Sequence, residues 1–401
     1  MKNIKVVLQI LYKMEVLTLK KLFSLAMASL LTLSLAACGG GDKPAEKPAE
    51  ESPAQENSDQ EDKPVKNAKD TFDIEITDEM KEAAKSFSVG MVTDTGGIDD
   101  KSFNQGTWEG VKKFGELTGA SVQFSQSNSD AEYVPNLSTF AEDGVNIVVA
   151  AGYLFEDSIK SVSDNFQDTH FLLIDQPIEG KANVATASFA ENEGSYLVGI
   201  AAGEMAKKAE KTMVGFIGGG ESELIQRFEA GYEAGVKSVD PNIEVKVDYV
   251  GGFSDQGKAQ SIAKKMYDEG AYVIYHASGG AGNGLIKEAK DRRLNGQDVW
   301  AIGVDRDQYE DGIYEDGKSA ILTSMVKRVD VAAFDVCMQD LQGKFPGGKN
   351  NVYNIKNGGL DVPQENPNLP EDVIAKVQEA KEKIKSGELE IPKVPSRIAE
   401  K

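Results

Sequence analysis

Residues 89–111, VGMVTDTGGIDDKSFNQGTWEGV, pass from a short apolar run through a loop crowded with Asp and Gly into a segment with helical spacing. A change of period from strand to helix across a polar turn opens a βαβ unit. The same alternation recurs along the chain. FSVGMVT, SVQFSQS, VNIVVAAG, HFLLIDQ and NVATASF form one series of strand-like runs, and TMVGFIGG, EVKVDYVGG, AYVIYHASGG and VWAIGVD form a second. Helical patterns such as SELIQRFEAGYEAGVKSV and DQGKAQSIAKKMYDEG fill the gaps. Each series is long enough for one parallel sheet, so the fold class is α/β with two lobes, each a parallel sheet flanked by helices.

In such sheets ligands sit beyond the carboxyl ends of the strands, at the edge where polar and Gly-rich residues collect. Asp94, Gly152, Tyr153, Asp175, Gly218 to Gly220, Gly279, Gly280 and Asp305 all follow apolar runs. Any one of them alone is an ordinary turn or helix cap. Together they mark one polar edge per lobe, and two facing edges make a cleft.

The N-terminal segment addresses compartment. Lys20 and Lys21 precede LFSLAMASLLTLSLAAC, an apolar run that is short for a bilayer span and ends in small residues, as a secretory signal does. Leu35-Ala36-Ala37-Cys38 resembles the lipobox of bacterial lipoproteins, which implies cleavage before Cys38 and a lipid on its sulfur. The next stretch, to residue 70, has repeated Pro, charges of both signs and almost no large apolar residue. It has too little surface to bury to offset ordering, so it reads as a solvated tether. With Cys38 lipidated, Cys337 has no disulfide partner and reads as a buried inert thiol.

The net charge of −21, about −25 once residues 1–37 are removed, argues against nucleic acid as a partner. His170 and His276 are far apart and no ligand-type cluster appears, so neither a metal nor a cofactor is expected. GFIGGGES and ASGGAGNG lack the GxxxxGK[ST] of a phosphate loop.

The segments quoted above, with AIGVDRDQ and ILTSMVKRVDVA, resemble the basic membrane protein family of bacterial lipoproteins over about residues 87–392. The resemblance implies the type I periplasmic-binding fold and a substrate-binding protein of an ABC importer for purine nucleosides, with no enzymatic activity. With signal 1–37, tether 38–70 and connector 71–86 read from composition, and lobe 1 at 87–190 and lobe 2 at 191–320 from the two strand series, the resemblance implies three crossings and a return to lobe 1 at 321–345, leaving lobe 2 strands with a C-terminal helix at 346–401.

A nucleoside asks for ring faces to stack on, an amide or carboxylate at the base edge, and a carboxylate accepting from ribose hydroxyls. By resemblance, Phe103 and Phe228 stack on the two faces of the base; each is otherwise an ordinary core aromatic. Asn104 and Asp175 are the base-edge candidates, against a helix cap and a strand-end turn. Asp305 and Lys327 are the sugar candidates, the ammonium also offsetting the carboxylate. Asp94 contacts ligand or orients Asn104, Gly280 lies at the second lobe's edge, and Asp99 and Asp100 read as caps of the helix that begins near Ser102. The expected partners are guanosine, inosine or adenosine, the ABC permease subunits, and the membrane through the lipid on the extracytoplasmic face. A nucleoside-cleaving hydrolase and a surface sensor or adhesin on the same fold are the alternatives.

Overall fold

The structure is a computed structural model that describes residue 72 and residues 74–399. The expected signal, the lipid attachment at Cys38 and the tether lie outside the described residues. Helix α1 (Asp78–Ala84) leads in, capped by the Thr77 hydroxyl, which accepts from the Met80 N–H at 3.3 Å.

The first sheet is built from β1 (Ser88–Val92), β2 (Ser121–Ser125), β3 (Ile147–Ala150), β4 (His170–Ile174) and β5 (Val184–Phe189). Between them run α2 (Phe103–Thr118), α3 (Tyr133–Glu142) and α4 (Glu156–Asn165). The second lobe follows as α5 (Glu191–Lys208), β6 (Met213–Gly218), α6 (Glu223–Val239), β7 (Glu244–Tyr249), α7 (Gln256–Asp268), β8 (Val273–Ala277), α8 (Asn283–Leu294) and β9 (Trp300–Asp305). A small hairpin, β10 (Ile313–Glu315) and β11 (Lys318–Ser319), leads to β12 (Ile321–Lys327). The chain ends with α9 (Val329–Leu341), β13 (Asn350–Tyr353), β14 (Leu360–Asp361), α10 (Glu371–Ser386) and α11 (Ser396–Ala399).

The sheet orders are β13-β5-β4-β3-β1-β2 and β14-β12-β9-β8-β6-β7. All pairings within them are parallel except β14 on β12. Central strands such as β3, β8 and β9 are buried along their whole length, which is why they read as unbroken apolar runs. The edge strands β2 and β7 are only partly covered.

The chain crosses between lobes three times: at Ala190, at Arg328 and over residues 354–359. This differs from the expected boundaries. The return to lobe 1 was placed at 321–345, yet β12 pairs with β9 in the second sheet, Val326 opposite Asp305, and only α9 goes back to pack on α2. Residues 346–401 were expected in lobe 2, yet β13 pairs with β5 in the first sheet. An apolar strand such as ILTSMV suits either sheet, so its periodicity carries no information about which one it joins.

Two helix pairs place the cleft residues. In α2, Phe103 is followed by Gly106, Gly110 and Val111; in α6, Phe228 is followed by Gly231, Gly235 and Val236. This F-x2-G-x3-G-V repeat lets a second helix approach within backbone contact. A Cβ on Gly110 would lie 2.1 Å from the Asp330 carbonyl oxygen of α9, and one on Gly231 would lie 2.1 Å from the Asn192 carbonyl oxygen of α5. The spacing therefore sets where each helix, and the phenylalanine three residues before its first glycine, meets the crossing segments.

Candidate functional site

A cavity of about 50 Å3 lies between the lobes. Asp94, Phe103, Asn104 and Asp175 line it from the first lobe, and Phe228, Asp305 and Lys327 from the second sheet and its helices. Seven of the eight expected ligand residues thus share one cavity. Gly280 stands beside the wall rather than on it, where the lobes touch: a Cβ there would lie 3.3 Å from the Gly96 carbonyl oxygen and from Asp100 Cβ.

The loop after β1 is organised by Asp100. Its carboxylate accepts from the backbone N–H groups of Ser102 and Asn104, both at 2.8 Å, and of Gln105 at 3.1 Å. It thereby caps α2 as expected, while Asp99 is exposed and Ser102 makes no side-chain cap bond. The Asn104 amide donates to Asp94 at 2.7 Å and to Asp100 at 3.0 Å, and its oxygen accepts from the Asp94 N–H at 3.1 Å. Both donor hydrogens of Asn104 are thus in use inside the loop, and the amide orients Asp94. Asp94 was expected to contact ligand or to orient Asn104, and the two residues hold each other through bonds in both directions. Burial pushes the Asp94 carboxyl up to about 6, against the pull of the Asn104 and Gly96 hydrogen bonds.

Asp175 and Asp305 occupy matching places, just after β4 and at the end of β9, and both adopt left-handed backbone, with φ of 79° and 66°. Aspartate tolerates this region better than most residues, but it is strained for any side chain, and such strain concentrates at ligand sites. The expected pairing of Asp305 with Lys327 takes another form. The Lys327 ammonium lies 2.7 and 2.8 Å from the two oxygens of Asp175 and 3.5 Å from Glu191 Oε1. Asp305 accepts instead from the Ser102 hydroxyl, across the lobes. Although Asp305 lies beside the end of β12 in the sheet, the carboxylates within ion-pair distance of the buried ammonium are those of Asp175 and Glu191.

Burial opposes the charge on Lys327, but Asp175, Glu191 and Asp305 outweigh it and hold the ammonium above its ordinary range. Burial raises the Asp175 carboxyl, and Lys327 opposes that rise. Asp305 is pushed up to about 7, mainly by burial, with Lys327 and Ser102 pulling the other way and Asp100 and Asp175 adding to the rise.

Sequence reasoning did not assign Tyr153 and Phe253, which meet edge to face across the mouth with ring centroids 6.1 Å apart. Both follow strands in the polar-edge pattern, so the signal was present. Ser102, Phe189, Glu191 and Arg227 carry no such signal, because their place depends on how the two lobes meet. Among the described residues no group of His, Cys, Asp and Glu is arranged to hold a metal ion. His276 is buried and held down to about 4. Cys337 is fully buried, and burial pushes its thiol up.

Residues 87–394 match the family described as ABC transporter substrate-binding protein PnrA-like. The chain belongs to this family. The CD4+ T-cell-stimulating antigen of Listeria innocua is 41% identical over 324 residues, covering 78% of this chain and 90% of that protein. The ABC transporter nucleoside-binding protein BmpA of Lactococcus lactis is 38% identical over 314 residues, covering 75% and 88%. Among solved structures, an ABC transporter solute-binding protein of Aeropyrum pernix superposes with a TM-score of 0.68 at 26% identity, covering 76% of this chain and 92% of that one. The resemblance read from the sequence and the two-lobe α/β fold are both borne out. The protein is a member of a substrate-binding, not an enzymatic, family.

Proposed function

We propose that this protein, held at the outer face of the cell membrane by a lipid on Cys38, captures a purine nucleoside between its lobes and delivers it to the membrane subunits of an ABC importer. The observation that carries the reading is the placement of Phe103 and Phe228. They occupy the same position of a repeated helix motif, one in each lobe, and both line the cavity beside Lys327. Two apolar faces presented from opposite lobes suit a flat ring better than a sugar alone, and closure buries both. The printed name of the Lactococcus lactis relative supports a nucleoside as the ligand.

In this reading Asp94, oriented by Asn104, and Asp175 accept from the N–H groups of the base edge. Asp305 accepts from the ribose hydroxyls, and Lys327 donates to a ligand oxygen. Asp94, Asp100, Asp175 and Asp305 line the cavity against the single ammonium of Lys327, so an uncharged nucleoside is favoured over its phosphate esters. Calorimetry on ligand-stripped protein with guanosine, inosine, adenosine and guanosine monophosphate tests this. The nucleosides should bind at least tenfold more tightly than the monophosphate. Equal affinity for guanosine and its monophosphate overturns the selectivity, and steady release of hypoxanthine from inosine would replace the receptor reading with a hydrolase.

A further inference from the structure

The floor of the cleft contains a cation that the protein supplies itself. Around the Lys327 ammonium stand the rings of Phe189, Phe103 and Phe228, with centroids 4.8, 5.2 and 5.4 Å away, and the carboxylates of Asp175 and Glu191. Asp175 alone would neutralise the ammonium. Glu191 is nevertheless fully buried beside it, and a second buried carboxylate near Asp175 is unfavourable unless another cation attends it. That cation is Arg227, whose Nε donates to Glu191 Oε2 at 2.8 Å. Charges therefore alternate along Asp175, Lys327, Glu191 and Arg227, and the set is formally neutral.

Two of the four residues adjoin the segments that join the lobes, and the other two come one from each lobe. Glu191 opens α5 immediately after the first crossing, Lys327 ends β12 immediately before the second, Asp175 belongs to lobe 1, and Arg227 directly precedes Phe228 on α6. Phe189, at the first crossing, stacks on Tyr353, at the third, with centroids 5.1 Å apart. Neither Glu191 nor Arg227 lines the cavity. A lysine side chain has a long flexible stem, so a second anchor at the hinge restricts it to one direction.

We propose that Glu191, backed by Arg227, is a positioning residue that fixes the Lys327 ammonium at the hinge and aims it into the cleft, so that affinity depends on a pair outside the cavity. The proposal rests on the cleft being the ligand site, but its first test does not need a ligand. Lys327 in ligand-free protein is challenged with an amine-acylating reagent and its modification is followed by peptide mass spectrometry. Glu191→Gln should accelerate labelling at Lys327 at least tenfold while leaving exposed lysines such as Lys112 unchanged, and Arg227→Met, at a half-exposed position, should do the same. Arg227→Lys should restore much of the protection.

The second test is a double-mutant cycle with guanosine. Glu191→Gln should weaken binding roughly tenfold in the parent and leave it unchanged in a Lys327→Met background, because it acts through that ammonium. Unchanged labelling in both the Glu191 and Arg227 variants overturns the proposal, as does an equal loss of affinity in the two backgrounds. A parent protein that binds no nucleoside would overturn the functional reading and leave the labelling result to decide the positioning role.

Discussion

Asp305 has the most consequential proton in the cleft. A carboxyl raised by burial to about 7 keeps its proton in the folded chain at pH values where the unfolded chain, with an ordinary value of 3.8, has lost it. The folded state then binds more protons, so this site stabilises the ligand-free protein at acid pH and that contribution fades as pH rises from about 4 to 7. Asp94, raised to about 6, acts in the same direction over a lower window. The ionised form of Asp305 accepts from ribose hydroxyls on both oxygens and more strongly than the protonated acid, so ligand binding has the opposite sign. From pH 8 to pH 6 the dissociation constant for a ribonucleoside should rise roughly tenfold, since one unit below the pKa each further unit removes a factor near ten of the ionised form. A 2′-deoxynucleoside should show a shallower slope, and Asp305→Asn should flatten it. Titration calorimetry across that range decides the matter, and a slope that survives in Asp305→Asn assigns the proton to another group.

At the scale of elements, what was legible was whatever depends on one strand and the turn after it. The alternation of apolar runs with helical spacing yielded both lobes, and the rule that strand ends carry ligand residues reached Asp94, Asp175 and Asp305 without any pairing information. What was not legible depends on which elements meet. Lys327 was paired with Asp305 because the family pattern puts both at the sugar; the choice of Asp175 and Glu191 is made by the approach of β4 and α5 to the end of β12. The affiliation of β12 and β13 failed for the same reason. The glycines of α2 and α6 form the intermediate case, since the F-x2-G-x3-G-V spacing is visible in sequence but its meaning needs the partner helix. Both Gly110 and Gly231 face backbone, which has no rotamer to move aside. Gly110→Ala or Gly231→Ala should therefore destabilise by about 1–3 kcal/mol through forced separation of the helices. Each should also weaken nucleoside binding, because Phe103 or Phe228 shifts with its helix. Thermal melting and calorimetry on each variant check this, and a substitution at the open, αL-capping Gly119 supplies the contrast, losing stability through backbone strain without loss of affinity.

At the scale of the whole molecule, the loop after β1 is bonded to the second lobe. Across the mouth, the Asn283 amide donates to the Asp100 carbonyl oxygen at 2.9 Å, and the Gln308 amide donates to the Lys101 carbonyl oxygen at 3.1 Å. Lys101 pairs with Asp311 at 2.9 Å, and Arg306 with Glu109 at 3.0 Å. Of these residues only Asp100 lines the cavity, and its bond to Asn283 is made through the backbone carbonyl rather than the side chain, so the set bears on the equilibrium between open and closed lobes rather than on ligand contacts. The exposed ion pairs contribute little in water, and the Gln308 oxygen also accepts from Val304 N–H at 2.9 Å, which ties that residue to the integrity of lobe 2. Asn283, at the start of α8 and only half-buried, is the cleaner handle. Removing one neutral hydrogen bond from the closed form shifts the balance by about 1 kcal/mol, or roughly fivefold. Asn283→Ala should therefore release ligand about fivefold faster with little change in the association rate, because the bond forms after encounter. Small-angle scattering should give a smaller radius for the parent with nucleoside than without, and the variant should need more ligand to reach it. An unchanged release rate in Asn283→Ala, or a profile of ligand-stripped parent that ligand leaves unaltered, would rule out closure across this mouth as the step that retains the ligand.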